Sequence, residues 1–412
     1  MYVAVMGFGT VGSGVAELIY KNHDSIVKKS MQDSLEVKYI LDIRDFPDNP
    51  FADKMIKDFN IILNDPEVEI VVETMGGVTF AYDFVKKLLL AGKSVVTSNK
   101  ELVAQHGYEL LTIAEEKNVN FLFEASVGGG IPIIRPITQC LAANEIDEIA
   151  GILNGTTNYI LTKMITEKQS FDEALAKAQE LGYAEKDPTA DVDGHDACRK
   201  ICILSALSFG KHVYPASVHT EGIRKIALSD VAYAASWGGV IKLIASAKKL
   251  SDGKINVTVG PTFVASHSQL AGVDDVFNAV LIRGDATGDV VFYGKGAGKM
   301  PTASAVVADV IDAAKHTKKK KNFGWEDAED NYVADYLEAE TSLYVRGTTD
   351  NKDAVIKALN DTIGAVRVLT REDAPENEIA FVTNPAAEGA LRKGIADTAG
   401  LDVEAIIRVA NY

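Results

Sequence analysis

The densest chemistry in the sequence lies between Gly182 and Lys200. GYAEKDPTADVDGHDACRK gathers Glu185, Asp187, Asp191, Asp193, Asp196 and Lys200 among glycine and proline breakers. Charged groups in such a setting look like a binding loop that runs into a helix near His195. Asp196 and Lys200 stand four residues apart and so share one helix face. As a solvated pair they would contribute only about a few tenths of a kcal/mol. The continuation ICILSALSF is almost wholly apolar, which predicts a buried helix instead. A buried lysine beside carboxylates is a proton-transfer group. His195, Cys198 and Cys202 also share a helical face, but no fourth ligand at comparable spacing completes a zinc site, so helix packing accounts for them.

A second constellation is GFGTVG, which places Gly7, Gly9 and Gly12 in the G-x-G-x-x-G spacing after the strand Val3–Met6 and at a helix start. The first glycine permits the turn, the second admits a pyrophosphate, and the third lets helix pack on strand. The helix N–H groups then hold the phosphates. The second strand ends LDIRD. Asp42 there suits the ribose hydroxyls of NAD, and Arg44 the 2′-phosphate of NADP, so the preference stays open. The plain alternative for Arg44 is a surface pair with Asp45 or Asp48. VVETMGG (71–77) and TSNKELVA (97–104) end further strands, where ligands of open α/β sheets gather. Their cofactor-facing candidates are Thr74, Met75, Ser98 and Lys100.

FEASVGGGIP (123–132) is dense in glycine. Exposed carbonyls and the Glu124 carboxylate form an oxygen-only set that suits a hard cation such as sodium. A domain hinge is the alternative, and both readings can hold together. GKGAGKMPTASAVVAD (294–309) is another glycine turn opening a helix, with Gly298 placed to bring N–H groups back to the cofactor.

The elements that must position these groups follow a regular plan. Strands at Val3–Met6, Val37–Leu41, Ile70–Glu73, Ser94–Thr97 and Asn120–Phe123 alternate with helices such as Val11–Tyr20 and Tyr82–Ala91, as in a parallel, doubly wound sheet. Then come helical stretches at 172–181, 196–208 and 237–250, mixed with strands near 255–259, 280–283 and 289–293, as in an α+β domain. A helix over 302–314 precedes the charged stretch KHTKKKKNFGWEDAEDN, whose Lys318–Lys321 reads as a solvated hinge. From Thr341 the pattern is βαββαβ. The expected domains are 1–130 plus 296–318 for a dinucleotide, an α+β domain at 131–295, a linker at 319–338, and 339–412.

Composition bounds the function. The chain has 412 residues, enough at roughly 150 per domain for two or three domains. Lys plus Arg is 42 and Asp plus Glu is 58, for a net charge of −16. That argues against a nucleic-acid partner, which needs a basic face. Three cysteines without a framework fit a reducing compartment. The start MYVAVMGFGTVG lacks the basic region of a signal peptide. No run reaches the roughly 18 apolar residues of a membrane span. A cytoplasmic location without a membrane partner is expected.

Taken in order, GFGTVG, TSNKELVA, EASVGGGIPI, GILNGTTNYILTKM, GYAEKDPTADVDGHDACRK, SWGGVIKLIA and GAGKMPTASAVVADV resemble homoserine dehydrogenase of the monofunctional type with a C-terminal regulatory domain. The resemblance runs from Val3 to about Val409. It implies a Rossmann-like N-terminal domain, an α+β catalytic and dimerisation domain and a C-terminal ACT-like βαββαβ domain. It also implies reversible NAD(P)-dependent interconversion of L-aspartate 4-semialdehyde and L-homoserine in threonine, methionine and isoleucine synthesis. Residue by residue, it makes Lys200 the proton donor and acceptor, Asp196 its orienting partner and Lys100 a second active-site lysine. It makes Glu185 and Asp191 ligands of the substrate amino group, and Tyr183, Gly155 and Thr156 pocket residues. Gly7, Phe8, Gly9, Thr10, Val11 and Gly12, with Arg44, Thr74, Met75, Ser98, Lys100 and Gly298, would hold NADP or NAD, the balance lying slightly towards NADP. Glu124, Val127, Gly129 and Ile131 match a sodium site, the last three by carbonyl oxygen. A homodimer or homotetramer is implied.

Two departures stand out. Lys295 occupies a position where the family usually has proline. The turn TTDNKDAV lacks the D-x-P-G-V loop of amino-acid-binding ACT domains, which puts threonine as an effector in doubt. Two rival readings fare worse. Aspartate-semialdehyde dehydrogenase needs a thiolate nucleophile, and no cysteine here pairs convincingly with a base. A non-catalytic amino-acid sensor would have no use for Lys200 and Glu185.

Overall fold

The computed structural model describes residues 1–317 and 321–412. The chain forms two compact units, one of Met1–Asn144, Cys202–Pro215 and Gly294–Ala328, the other of Glu145–Ile201, Ala216–Tyr293 and Glu329–Tyr412.

Buried β-branched runs build the first unit. Its strands are β1 (Tyr2–Met6), β2 (Glu36–Leu41), β3 (Met55–Ile56), β4 (Val68–Glu73), β5 (Ser94–Thr97) and β6 (Phe121–Leu122). All pair in parallel, in the order β3-β2-β1-β4-β5-β6. Near-continuous apolar strands are what a parallel sheet covered on both faces requires. The order reverses between β1 and β4, which places a ligand crevice at the strand C-terminal ends there. The helices Thr10–Lys21 and Lys299–Lys315 share one core with the sheet, through Val15, Ile19, Ala303, Val306 and Val310.

The second unit carries β7 (Ile146–Ile152), β8 (His219–Thr220), β9 (Gly239–Lys249), β10 (Ile255–Ala265), β11 (Phe277–Gly284) and β12 (Gly288–Lys295). It continues with β13 (Glu340–Thr348), β14 (Val366–Leu369), β15 (Glu378–Thr383), β16 (Ala386–Ala387) and β17 (Asp402–Ala410). The sheet runs β12-β11-β7-β9-β10-β17-β13-β15-β14, with β8 on β10 and β16 on β13. From Glu340 the order is strand, helix (Lys352–Ile363), the strands β14 and β15 with the two-residue β16, helix (Glu388–Ala396), strand, a ferredoxin-like succession. Its last strand joins the larger sheet, β17 running parallel to β10.

One expected element is wrong. Residues 237–250 are not a helix. The helix Leu228–Trp237 stops at Gly238, in the left-handed region at φ 104°, and β9 follows. β9 pairs with both β7 and β10, and that central position decides the state of an apolar run whose composition suits either.

Of the lysine patch, Lys318–Lys320 lie outside the described residues, and Lys321 pairs with Asp312. Trp325, within the segment taken as linker, is buried edge-on against Phe123 and donates from Nε1 to His212 Nδ1 at 3.0 Å. Among the described residues no helix is long and apolar enough to cross a membrane.

Candidate active site

The turn after β1 has the shape of a diphosphate cradle. A Cβ on Gly12 would stand 1.9 Å from the Gly7 carbonyl oxygen and 2.7 Å from Thr74 Oγ1. Only glycine lets the helix lie this close. A Cβ on Gly9 would meet no heavy atom within 4 Å, so open space lies beside it. No side chain caps the helix Thr10–Lys21 at Gly9, nor the helix Lys299–Lys315 at Gly298. Uncapped first-turn N–H groups of this kind, at Thr10 and Val11, fit an anionic ligand. Lys295, beside the second turn, is exposed.

Asp42 organises the end of β2. Its Oδ2 accepts the Phe8 N–H at 2.7 Å, and its two oxygens accept Arg44 Nε at 3.0 Å and Nη2 at 2.9 Å. The Arg44 guanidinium holds the Asp42 carboxyl well below the usual carboxylate range. Among the described residues Arg44 pairs with Asp42, not with Asp45 or Asp48. Lys57 takes Asp45, and Asp42 meets the planar Arg44 fork with both oxygens.

Thr74 Oγ1 donates to the carbonyls of Met6 and Gly7 at 3.1 and 3.0 Å, locking the β4 turn to the β1 turn. Asn99 caps the helix Lys100–Lys117 by accepting from Leu102 N at 3.0 Å, so Lys100 is its first residue, with half-buried Ser98 just before. Met75 N–H donates at 2.7 Å to Glu73, a buried carboxyl that the sequence reasoning passed over. Its signal was a charge closing the apolar strand IVVE.

The glycine-dense stretch is organised by Glu124, which is buried. Its Oε1 accepts from the N–H groups of Ile133 at 2.6 Å and Ile134 at 2.8 Å, and its Oε2 from Arg135 at 3.0 Å. Gly129 sits in the left-handed region at φ 56°, and a Cβ there would stand 2.3 Å from the Gly296 carbonyl. The donor set is oxygen only, as a hard cation needs. Because the carboxylate already receives three N–H groups, the carbonyls of Val127, Gly129 and Ile131 would carry much of the ligation.

In the second unit the acidic segment folds around one lysine. The helix His195–Phe209 buries Lys200 to 7 % exposure. Lys200 Nζ donates to Asp196 Oδ2 at 2.8 Å and to the Leu153 carbonyl at 2.7 Å. Asn154 ties this pair to the loop, its Nδ2 donating to Asp196 Oδ2 at 2.9 Å and to Asp191 Oδ1 at 2.7 Å. Its Oδ1 caps the helix Gly155–Thr166 at Thr157 N, 2.9 Å. Asn154 was missed from the sequence, although Asn immediately before a helical pattern is a start signal. Thr156 Oγ1 donates to the Tyr183 carbonyl at 2.6 Å, and Tyr183 is 44 % exposed. A Cβ on Gly155 would stand 2.8 Å from the Val276 carbonyl. Glu185 is exposed on the same loop. Asp193 is taken by Arg224 at 2.6 Å. Cys198 and Cys202 are buried and His195 is exposed.

A βαβ turn with an open second glycine and uncapped helix starts, together with a buried Lys–Asp pair, defines an NAD(P)-dependent oxidoreductase. Comparison with known proteins is more specific. Residues 7–124 match the family described as homoserine dehydrogenase, NAD binding domain, and residues 132–311 the family described as homoserine dehydrogenase. The chain belongs to the homoserine dehydrogenase family, whose reaction interconverts L-aspartate 4-semialdehyde and L-homoserine. It is similar to the homoserine dehydrogenase of Synechocystis sp., at 44% identity over 322 residues, covering 75% of this chain and 72% of that one. It is similar to that of Helicobacter pylori at 37% identity over 423 residues, covering 99% of each. Among solved structures, a homoserine dehydrogenase from Thiobacillus denitrificans superposes with a TM-score of 0.91 at 34% identity, covering 100% of this chain and 98% of the other. A hyperthermophilic archaeal homoserine dehydrogenase in complex with NADPH does so with a TM-score of 0.62 at 30% identity, covering 76% and 97%.

Proposed function

We propose that Lys200 is the group that moves the proton at the substrate oxygen, and the observation that carries this is its burial on Asp196 and the Leu153 carbonyl. The nicotinamide, when bound, supplies or takes the hydride at the substrate carbon. Reduction of the aldehyde leaves an alkoxide, which the Lys200 ammonium stabilises and protonates; oxidation of homoserine returns the proton. Asp196 offsets part of the cost of burying the Lys200 ammonium, since an opposite charge in hydrogen-bond contact compensates desolvation. Asn154 fixes Asp196 and Asp191 together, so orientation of the lysine and of the amino-group ligand is set by one amide. Asp191 and Glu185 hold the substrate ammonium. Tyr183, Gly155 and Thr156 shape the pocket, and Lys100 is a second lysine of the site.

The cofactor is held by Gly7, Phe8, Gly9, Thr10, Val11 and Gly12, with Thr74, Met75, Ser98, Lys100 and Gly298. Arg44 supports the slight preference for NADP, and the archaeal relative solved with NADPH supports it too. Arg44→Ala is expected to raise KM for NADPH several-fold more than KM for NADH, since only NADPH places charge at the ribose 2′ position. Parallel steady-state assays with both cofactors test this; equal changes make Arg44 an ordinary surface charge. Glu124 and the carbonyls of Val127, Gly129 and Ile131 hold sodium. The enzyme acts in the cytoplasm as a homodimer or homotetramer through residues 131–295, on a small-molecule substrate and without nucleic acid.

Residues 339–412 form an ACT-like domain whose role is chiefly assembly. The turn after β13 already uses the N–H groups that an amino acid would need. Asn351 Oδ1 already accepts the Ala354 N–H at 3.1 Å, and Thr349 Oγ1 the Asn351 N–H at 3.1 Å, so side chains occupy the N–H groups a carboxylate would seek. Millimolar threonine is therefore expected to leave full-length enzyme active. Half-inhibition at sub-millimolar threonine contradicts this. The full chain is the right material, because removing β17 would strip β10 of a neighbour.

A further inference from the structure

Glu73, at the end of β4, is wholly buried and plays no part in the proton transfer described above. Its Oε1 accepts the Met75 N–H at 2.7 Å and its Oε2 the Thr97 hydroxyl at 2.6 Å. Thr97 Oγ1 in turn accepts the Asn99 N–H at 2.9 Å. Asn99 Nδ2 donates to the Gly77 carbonyl at 2.6 Å, while its Oδ1 caps the helix that begins at Lys100. One continuous buried network thus joins the turn 74–77 to the start of that helix.

The sheet does not need this network. β4 and β5 already pair through their backbones from Ile70↔Ser94 to Glu73↔Thr97, and apolar residues would serve a strand covered on both faces. Burial pushes the Glu73 carboxyl up, against the bonds from Thr97 and Met75. A buried polar network is costly unless satisfied, and once satisfied it specifies one geometry. The glycine half of the turn it holds has little packing of its own. Gly76 and Gly77 are left-handed, at φ 78° and 69°, and a Cβ on either would meet nothing within 4 Å.

We propose that Glu73, acting through Thr97 and Asn99, is a positioning residue that sets the turn 74–77 and Lys100 for the nicotinamide end of the bound dinucleotide. This rests on the cofactor reading above. The test uses Thr97→Val, which keeps the side-chain shape but removes the hydroxyl that donates to Glu73 Oε2 and accepts the Asn99 N–H. Dissociation constants for NADH and NADPH are read from nicotinamide fluorescence without substrate, beside kcat. Thr97→Val is expected to weaken both cofactors by about tenfold and to lower kcat, with Thr97→Ser restoring both. Constants and kcat unchanged within about twofold, with only the melting temperature reduced, overturn the proposal and leave a structural network. If Gly9→Ala also fails to weaken the cofactors, the cofactor reading itself is at fault; if Gly9→Ala weakens them and Thr97→Val does not, only this proposal falls.

Discussion

Lys200→Ala is expected to lose about 10²–10⁴ in turnover while both cofactors bind as before, since that is the usual contribution of one positioned proton-transfer group. The Lys200 ammonium is fixed between Asp196 and the Leu153 carbonyl, and alanine places nothing there. The same substitution leaves Asp196 as a buried carboxylate that keeps the Asn154 amide, so a loss of stability of a few kcal/mol accompanies it. Turnover must therefore be measured below the variant's unfolding transition. Asn154→Ala should share part of the loss by freeing Asp196 and Asp191 from one another. Turnover of Lys200→Ala within about threefold of wild type removes the role assigned to it.

Gly9→Ala is expected to weaken NADH and NADPH by at least about tenfold without changing the melting temperature. The two effects separate because a Cβ at Gly9 meets no protein atom within 4 Å, and its backbone, at φ −80°, is open to any residue. Only a ligand whose diphosphate comes against the backbone would feel the methyl group. Gly12→Ala makes the contrast. Its Cβ would lie 1.9 Å from the Gly7 carbonyl, so the fold itself should suffer. Fluorescence titration and thermal unfolding of the two variants check both statements. A Gly9→Ala enzyme that binds both cofactors normally would remove the turn from the site.

The parts legible in the sequence were those set locally. The strand, glycine turn and helix at the N-terminus, and the i, i+4 pair of Asp196 and Lys200, follow from spacing alone, and the apolar ICILSALSF run carried the burial of that pair. What escaped depends on approach between distant segments. Asn154 reaches Asp191 and Asp196 across about 40 positions, and no local pattern announces that. Glu73 and Thr97 look like ordinary strand ends until β4 and β5 pair. The run 237–250 failed for the same reason, because its composition suits helix or strand and two sheet neighbours decide between them. The ion-pair partner of Arg44 was not legible either, since Asp42, Asp45 and Asp48 are all in reach along the chain and only the fold turns Asp42 towards it.

The most direct test of the account is the oxidation of NADPH by L-aspartate 4-semialdehyde in phosphate-free buffer, with the product identified. A proton-donating lysine and a hydride carrier need no phosphate and no thiol. The account predicts one L-homoserine formed for each NADPH consumed, at a rate that added phosphate and a cysteine-alkylating reagent leave unchanged. Oxidation that appears only with phosphate and NADP, or that alkylation abolishes, would show covalent thiol chemistry and contradict it.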